Sequence, residues 1–397
     1  MVKALRLFYA AGPGNVIGTF RHWQAGRDDP SQVSITYSGQ FFDLCRELSA
    51  EGYIVSAHPH RGLIRSGQFT IEHLPKPWPK ARGPFYHLAA LQYAVLIMAR
   101  ALRFRADAAV IAEGTTDWFI LSLLPPCGVK VIPALHCLLW PKHKVPRSPQ
   151  RLINRLNRYF FSRWVWGIMS ISEDINRQVN QVANGSARSI FGFLPTYRPS
   201  TFVALQAPRH DENHFRVLFV GRIERNKGVF DLLEIARRFV KEGRSGISFD
   251  LCGDGSALDA LRAAATQGGV DQMFHIHGYC LKPAMQAMLN LAQVLVVPTL
   301  TDFIEGFNKV VVEGILAGRP VITSSACPAL TTVRDAVMEV RPDDIAGYGE
   351  AILMLQSDKG LYERKRQACI KYQEQFYSPE RGWTAALRRA LRGIEQA

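Results

Sequence analysis

The sequence has no Cys-x-x-Cys pair, no complete Gly-x-Gly-x-x-Gly, no internal repeat and no low-complexity run. Each absence removes a class of protein. Seven cysteines stand scattered at 45, 127, 137, 252, 280, 327 and 369. An odd, unpaired set of that kind fits neither a disulfide framework nor a zinc site, and it suits a reducing cytosol. No apolar run approaches the ~20 residues of a membrane-spanning helix. The longest candidate, Ala89–Ala99, is interrupted by Gln92 and closed by Arg100. The start, Met-Val-Lys-Ala-Leu-Arg-Leu-Phe-Tyr, carries no signal-peptide cleavage pattern, so a soluble chain is expected. A dinucleotide-binding dehydrogenase would need a full glycine fingerprint after the first strand. Here Gly12 and Gly14 fit that pattern, but position 17 is Ile and the next glycine comes at 18.

What is present describes a folded, basic protein. The 397 residues leave room for two domains, and a hydrophobic fraction of 47% supports real cores. A formal net charge of +14 suits anionic partners: nucleic acid, nucleotide phosphates or an acidic membrane surface. No nucleic-acid-binding motif accompanies that charge.

Short apolar runs alternate with helical spacing along the whole chain, which predicts parallel α/β architecture. In the first half, strands are expected at Leu5–Ala10, Tyr53–Ala57, Phe69–Leu74, Ala108–Ala112, Val129–Ala134, Ile168–Ile171 and Ser189–Phe193. Helices are expected over Ser38–Glu51, with Gly52 as C-cap, and over Phe85–Phe104. The segment Glu113–Asp117 and His136 follow strand ends, on the carboxyl edge where α/β sheets bind ligands. In 147–163, Arg151, Arg155 and Arg158 form one helical stripe, and Leu152, Leu156, Tyr159 and Phe160 an adjacent apolar one. Such a helix can lie on an anionic membrane. The simpler reading, favoured here, packs the apolar stripe on the core and leaves the arginines solvated.

A Pro-rich polar linker precedes a second βα series that opens with Phe215–Val220 and a helix from about Val229. The turn between them, Gly221-Arg-Ile-Glu-Arg-Asn-Lys-Gly228, sets cations at a helix start, an arrangement suited to a diphosphate. Phe249–Cys252 is a strand before Gly253-Asp-Gly-Ser256, with Ser256 and Asp259 as a capping box, and His275–His277 is a strand before Gly278. The densest stretch is 302–323. It follows the apolar strand Val294–Val297, carries Glu305-Gly-Phe-Asn308, and continues into a helix that ends at Gly318 before Pro320. The amides of Gly306, Phe307 and Asn308 fall where a helix start leaves N–H groups unpaired. Glu313, eight residues after Glu305, is placed two turns inside the helix, where a plain ion pair with an arginine would also account for it.

Glu305-Gly-Phe with Glu313 resembles the E-x7-E motif of family 4 glycosyltransferases. Gly221-Arg222 with Lys227-Gly228 resembles that family's G-R-x-x-x-x-K-G segment. The resemblance implies a GT-B fold: two Rossmann-like doubly wound α/β domains facing a central cleft. The expected division is 1–198 for an acceptor-side domain, 199–214 for a linker, 215–375 for a nucleotide-sugar domain, and 376–397 for a helix crossing back. It also implies a retaining hexosyltransferase that moves a sugar from a UDP- or GDP-sugar to a hydroxyl of a glycan or lipid-linked acceptor in surface-polysaccharide biosynthesis.

By position, Arg222 and Lys227 would neutralise the diphosphate, Glu305 would hold the donor sugar, and Glu313 the ribose. His136 would contact the donor, and Gly12, Gly14, Gly221, Gly253, Gly278, Gly306, Phe307 and Asn308 would line its site. No Asp-x-Asp occurs, so no metal site and no cofactor are expected. The expected partners are the nucleotide-sugar, the acceptor and an anionic membrane, with no nucleic acid. The expected location is the cytoplasm or the inner face of the cell membrane. Rival readings are another GT-B enzyme, such as a nucleotide-sugar epimerase or a phosphorylase, and a basic nucleic-acid-binding protein.

Overall fold

A computed structural model of the chain describes all residues except 1–3, 80, 82, 113–116, 393 and 395–397. Glu113, in the segment expected at the carboxyl edge, therefore lies outside the described residues. The chain forms two compact units. One comprises Met1–Leu139, Val145–Thr196 and Pro379–Ala397, and the other Trp140–Lys144 and Tyr197–Ser378.

The first unit is built on eight strands: β1 (Arg6–Ala10), β2 (Glu51–Ser56), β3 (Gly62–Ser66), β4 (Phe69–His73), β5 (Ala108–Ile111), β6 (Lys130–Leu135), β7 (Ile168–Ser170) and β8 (Ile190–Gly192). Their order is β3-β4-β2-β1-β5-β6-β7-β8, parallel except where β3 pairs antiparallel with β4. The central strands bury nearly every side chain, as a sheet covered on both faces requires. Strand β3 is absent from the sequence reading because half-exposed positions alternate along it, and Leu63 points to solvent. The helix expected over Ser38–Glu51 spans Tyr37–Glu47 instead. Leu48 caps it and Ser49 takes φ +51°, so the chain reverses early and Gly52 lies inside β2.

The last segment belongs to this first unit. Trp383 is fully buried, its ring 5.2 Å from that of Tyr9 and 6.3 Å from that of Tyr37. The Thr384 amide donates to Gln40 at 3.2 Å.

The second unit has six parallel strands: β9 (Phe215–Val220), β10 (Ile247–Cys252), β11 (Phe274–Gly278), β12 (Val294–Val297), β13 (Val321–Ser324) and β14 (Val337–Val340). The order β11-β10-β9-β12-β13-β14 runs outward from β9, then returns to its other side. Residues 199–214 pack along this unit: Thr201 and Phe202 are buried, and the His210 imidazole meets the Leu355 carbonyl at 3.1 Å. Ser256 is not a cap. The helix Leu258–Gln267 begins after Ala257, whose amide is taken by the Ile223 carbonyl at 3.0 Å.

Trp383→Ala removes the largest side chain from the first unit's core. We expect a loss of about 3–5 kcal/mol, read by calorimetry as an earlier transition of one unit. An unchanged melting profile would mean that the terminal helix is not integral to that core.

Candidate functional site

A parallel sheet that returns to its central strand from the other side opens a crevice at the carboxyl ends of the two strands flanking the reversal. In the second unit those strands are β9 and β12. The loops leaving them, 221–228 and 298–308, meet there. The Leu300 amide donates to the Asn226 carbonyl at 3.0 Å. Gly228 adopts φ +72°, and a Cβ on it would lie 2.1 Å from the Pro298 carbonyl oxygen. Only glycine permits that approach. A second close contact joins the β10 loop to the β9 loop, because a Cβ on Gly253 would lie 1.7 Å from the Gly221 carbonyl oxygen. The Gly253 amide in turn donates to the Gly278 carbonyl at 2.7 Å. Gly221, Gly253 and Gly278 therefore form one interlocked row along the carboxyl edge.

This backbone frame carries the charged groups. The Lys227 ammonium pairs with the Glu305 carboxylate, both largely shielded from solvent. It also lies 3.9 Å from the centre of the Phe303 ring, with the Arg222 guanidinium 5.5 Å from the same ring. Arg222 pairs with Glu224 at 2.9 Å and stays exposed. The Asn308 amide group donates to Glu305 at 3.0 Å and to the Thr299 hydroxyl at 3.5 Å, while its own oxygen, buried, has no partner. Asn308 is also the N-cap of the helix Lys309–Leu316, with Gly306 and Phe307 buried just before it. Among the described residues no acceptor engages the amides of Gly306 and Phe307.

Glu313 lies one turn into that helix, not two, since the helix starts only at Lys309. It is buried. The Tyr197 hydroxyl reaches its carboxylate at 3.5 Å, and Lys309 is its cationic neighbour. Burial pushes the Glu313 carboxyl up to about 7, with Lys309 and Tyr197 opposing the rise. The same burial lowers Lys309.

The structure thus brings Arg222, Lys227, Glu305, Gly306, Phe307, Asn308 and Glu313 onto two adjoining loops and one short helix. Gly221, Gly253 and Gly278 line the same edge, whereas Gly12, Gly14 and His136 lie in the first unit. Gly12 (φ +72°) ends β1, and its carbonyl accepts from the Ala57 amide at 2.8 Å, while Gly14 is exposed. His136 follows β6, its ring tilted against Tyr37 at 4.6 Å and edge-on to Phe193 at 5.3 Å between ring centres. Phe303 and Tyr197 were not foreseen. Phe303 sits inside the motif stretch as an apolar residue among polar ones, which was the available signal. Tyr197 stands in a Pro-rich run that gives no hint of contact with Glu313. No cluster of three or more His, Cys, Asp or Glu able to hold a metal ion occurs among the described residues.

Residues 203–376 match the family model described as glycosyl transferases group 1. The chain is 28% identical over 152 residues to a 2-deoxystreptamine N-acetyl-D-glucosaminyltransferase of Niallia circulans, a match that spans 38% of either chain. It is 23% identical over 315 residues to the enzyme of that name from Streptomyces fradiae, covering 71% of this chain and 70% of that one. In structure it resembles HepE of Anabaena, solved in complex with UDP. The TM-score is 0.66 at 14% identity, over 99% of this chain and 100% of that one. The expected fold class is therefore borne out: α/β with two parallel-sheet domains, of the GT-B kind.

The raised Glu313 carboxyl makes stability depend on pH. The folded state keeps its proton between the ordinary value of 4.5 and about 7. Its contribution is full below 4.5 and is lost as pH rises through about 7. Asp231, raised to about 6 by burial and Asp343, adds the same sign. We expect the melting temperature to fall between roughly pH 5 and pH 8, and Glu313→Gln to flatten that slope without abolishing it. Equal slopes in both proteins would show that Glu313 titrates normally.

Proposed function

We propose that this chain is a retaining glycosyltransferase that moves a sugar from a UDP- or GDP-sugar to a hydroxyl of a glycan or lipid-linked acceptor. The observation that carries the reading is the Lys227–Glu305 pair, set with Arg222 and Phe303 in the crevice between β9 and β12. Several further facts support it. The helix Val229–Lys241 points its amino end at the Lys227 loop, and a helix start favours phosphate. The UDP held by HepE and the glycosaminyltransferase names of the two relatives lie in the same chemistry.

In this proposal the bond between sugar and diphosphate breaks as a bond to the acceptor oxygen forms on the same face, and the hydroxyl proton passes to the departing diphosphate. Lys227 exchanges its carboxylate for the departing diphosphate, and Arg222 turns from Glu224 to the same charge. Cations fixed where charge develops stabilise the transition state rather than the ground state. Glu305, released from Lys227 but still held by Asn308, accepts hydrogen bonds from sugar hydroxyls. Glu313 and the Tyr197 hydroxyl take the ribose. Fixed cations and helix dipoles do the work that a bridging metal does elsewhere, so no metal is required. Assembly of a cell-surface polysaccharide by a cytoplasmic enzyme is the setting most consistent with a glycan or lipid-linked acceptor.

The test is nucleotide binding followed by turnover. UDP, GDP, ADP and NAD are compared by thermal shift on wild type, Lys227→Ala and Glu313→Ala. One nucleoside diphosphate at a hundred times its dissociation constant should stabilise the wild type by roughly 2.7 kcal/mol. Lys227→Ala should weaken that binding by about 1.5–3 kcal/mol and lower kcat by about a hundredfold or more. If NAD alone stabilises the protein, or if Lys227→Ala turns over as fast as wild type, the proposal fails. Nucleotide release that needs no acceptor would favour the epimerase or phosphorylase alternative.

A further inference from the structure

Two helices of the first unit turn apolar faces outward. The helix Pro84–Phe104 is long and apolar enough, by length and composition, to cross a membrane, which the sequence reading did not anticipate. One side of it is already taken: Tyr93, Ile97, Met98 and Ala101 are buried in the unit's core. The opposite side presents Phe85, Leu88, Val95 and Leu102, spaced at three and seven residues and all exposed.

The second helix, Ser148–Tyr159, overturns the favoured sequence reading. Three of the four residues of its apolar stripe do not pack on the core: Leu152 is 62% exposed, Leu156 45% and Tyr159 56%. What it buries instead is Asn157, with Phe160 just beyond its end. Arg151, Arg155 and Arg158 run exposed beside the apolar stripe.

Both helices fasten to one turn, Trp118–Leu123. The His87 imidazole lies 3.1 Å from the carboxylate of Asp117, which precedes that turn, and the Phe119 amide donates to the Asn157 side chain at 3.0 Å. Leu123 of the turn is exposed as well. Exposed apolar residues thus occur on both helices and on the turn that holds them.

Charge decides what covers this surface. No Asp or Glu occurs in 73–106 or in 118–172, while those stretches carry six and eight Lys or Arg. A second copy laying the same face against itself would oppose like charges. We propose that this face rests on an anionic lipid bilayer. Its leucines and aromatics enter the headgroup boundary and its arginines meet lipid phosphates. The inner side of Pro84–Phe104 is committed to the core, so that helix lies on the membrane and does not span it. This inference does not depend on the transferase reading, since its exposed apolar residues and Arg151, Arg155 and Arg158 all belong to the first unit.

The full chain is sedimented with phosphatidylcholine vesicles, with and without phosphatidylglycerol, at low and high salt. It should sediment with the anionic vesicles only, and less at high salt. The combined Arg151→Glu, Arg155→Glu and Arg158→Glu variant should bind at least about a hundredfold more weakly. Phe85→Ser with Leu88→Ser and Leu156→Ser should also lose binding while keeping the wild-type melting temperature and nucleotide response. No sedimentation at low salt, equal binding to neutral vesicles, or wild-type binding by both variants would overturn the proposal. So would a dimer in solution that the serine substitutions dissociate, because the face would then belong to a second copy.

Discussion

The contact between the β9 loop and the β12 loop is what the second unit's site depends on. Sheet order creates the crevice, but order alone would leave two loops free to splay. Gly228 against Pro298, and Leu300 bonded to Asn226, fix their separation at the backbone. Lys227 and Glu305 then meet across the gap as a largely shielded ion pair. A shielded pair adds little net stability, yet removing one member strands the other charge, so the two groups hold each other in place. That arrangement suits exchange. In the proposed reaction an incoming diphosphate would offer Lys227 a stronger anion and free Glu305 for neutral hydroxyls.

The two glutamates, eight residues apart, sit in opposite environments. Glu305 is neutralised by a lysine and bonded by Asn308. Glu313 is buried, and that burial raises its carboxyl to about 7 although Lys309 and Tyr197 pull the other way. Near neutral pH it can accept a hydrogen bond when ionised or donate one when protonated. A vicinal diol offers both kinds of partner, which is the ground for proposing the ribose role for Glu313 and the sugar role for Glu305.

The motif residues were legible because their chemistry is local. A turn with Gly221, Arg222, Lys227 and Gly228, and a loop with Glu305 to Asn308, state their charges and backbone freedom in a few positions. The inner strands were legible for a similar reason, since β-branched runs such as Val294–Val297 suit a strand buried on both faces. What escaped depended on distant partners. Ser256 has the sequence of a cap, but the Ile223 carbonyl claims the neighbouring amide and shifts the helix start. Ser49 turns the chain through a left-handed conformation that glycine usually supplies, so Gly52 was misassigned. The faces of Pro84–Phe104 and Ser148–Tyr159 failed differently. Periodicity shows that a helix has an apolar face, but not whether another element arrives to cover it.

The distribution of charge separates two uses of the same residues. At the site each cation has a nearby acid: Lys227 has Glu305 and Arg222 has Glu224, so their fields nearly cancel a short distance away. Such cations recognise only a ligand that enters the crevice and replaces the acid. Along 118–172 no acid is available in sequence, and Arg151, Arg155 and Arg158 stand exposed. Their field reaches outward over about a Debye length, roughly 8 Å in physiological salt. A field of that reach suits the extended anionic surface proposed above. The excess of +14 is therefore not a general solubility feature. It arises largely where acids are missing, and those stretches also leave leucines and aromatics uncovered.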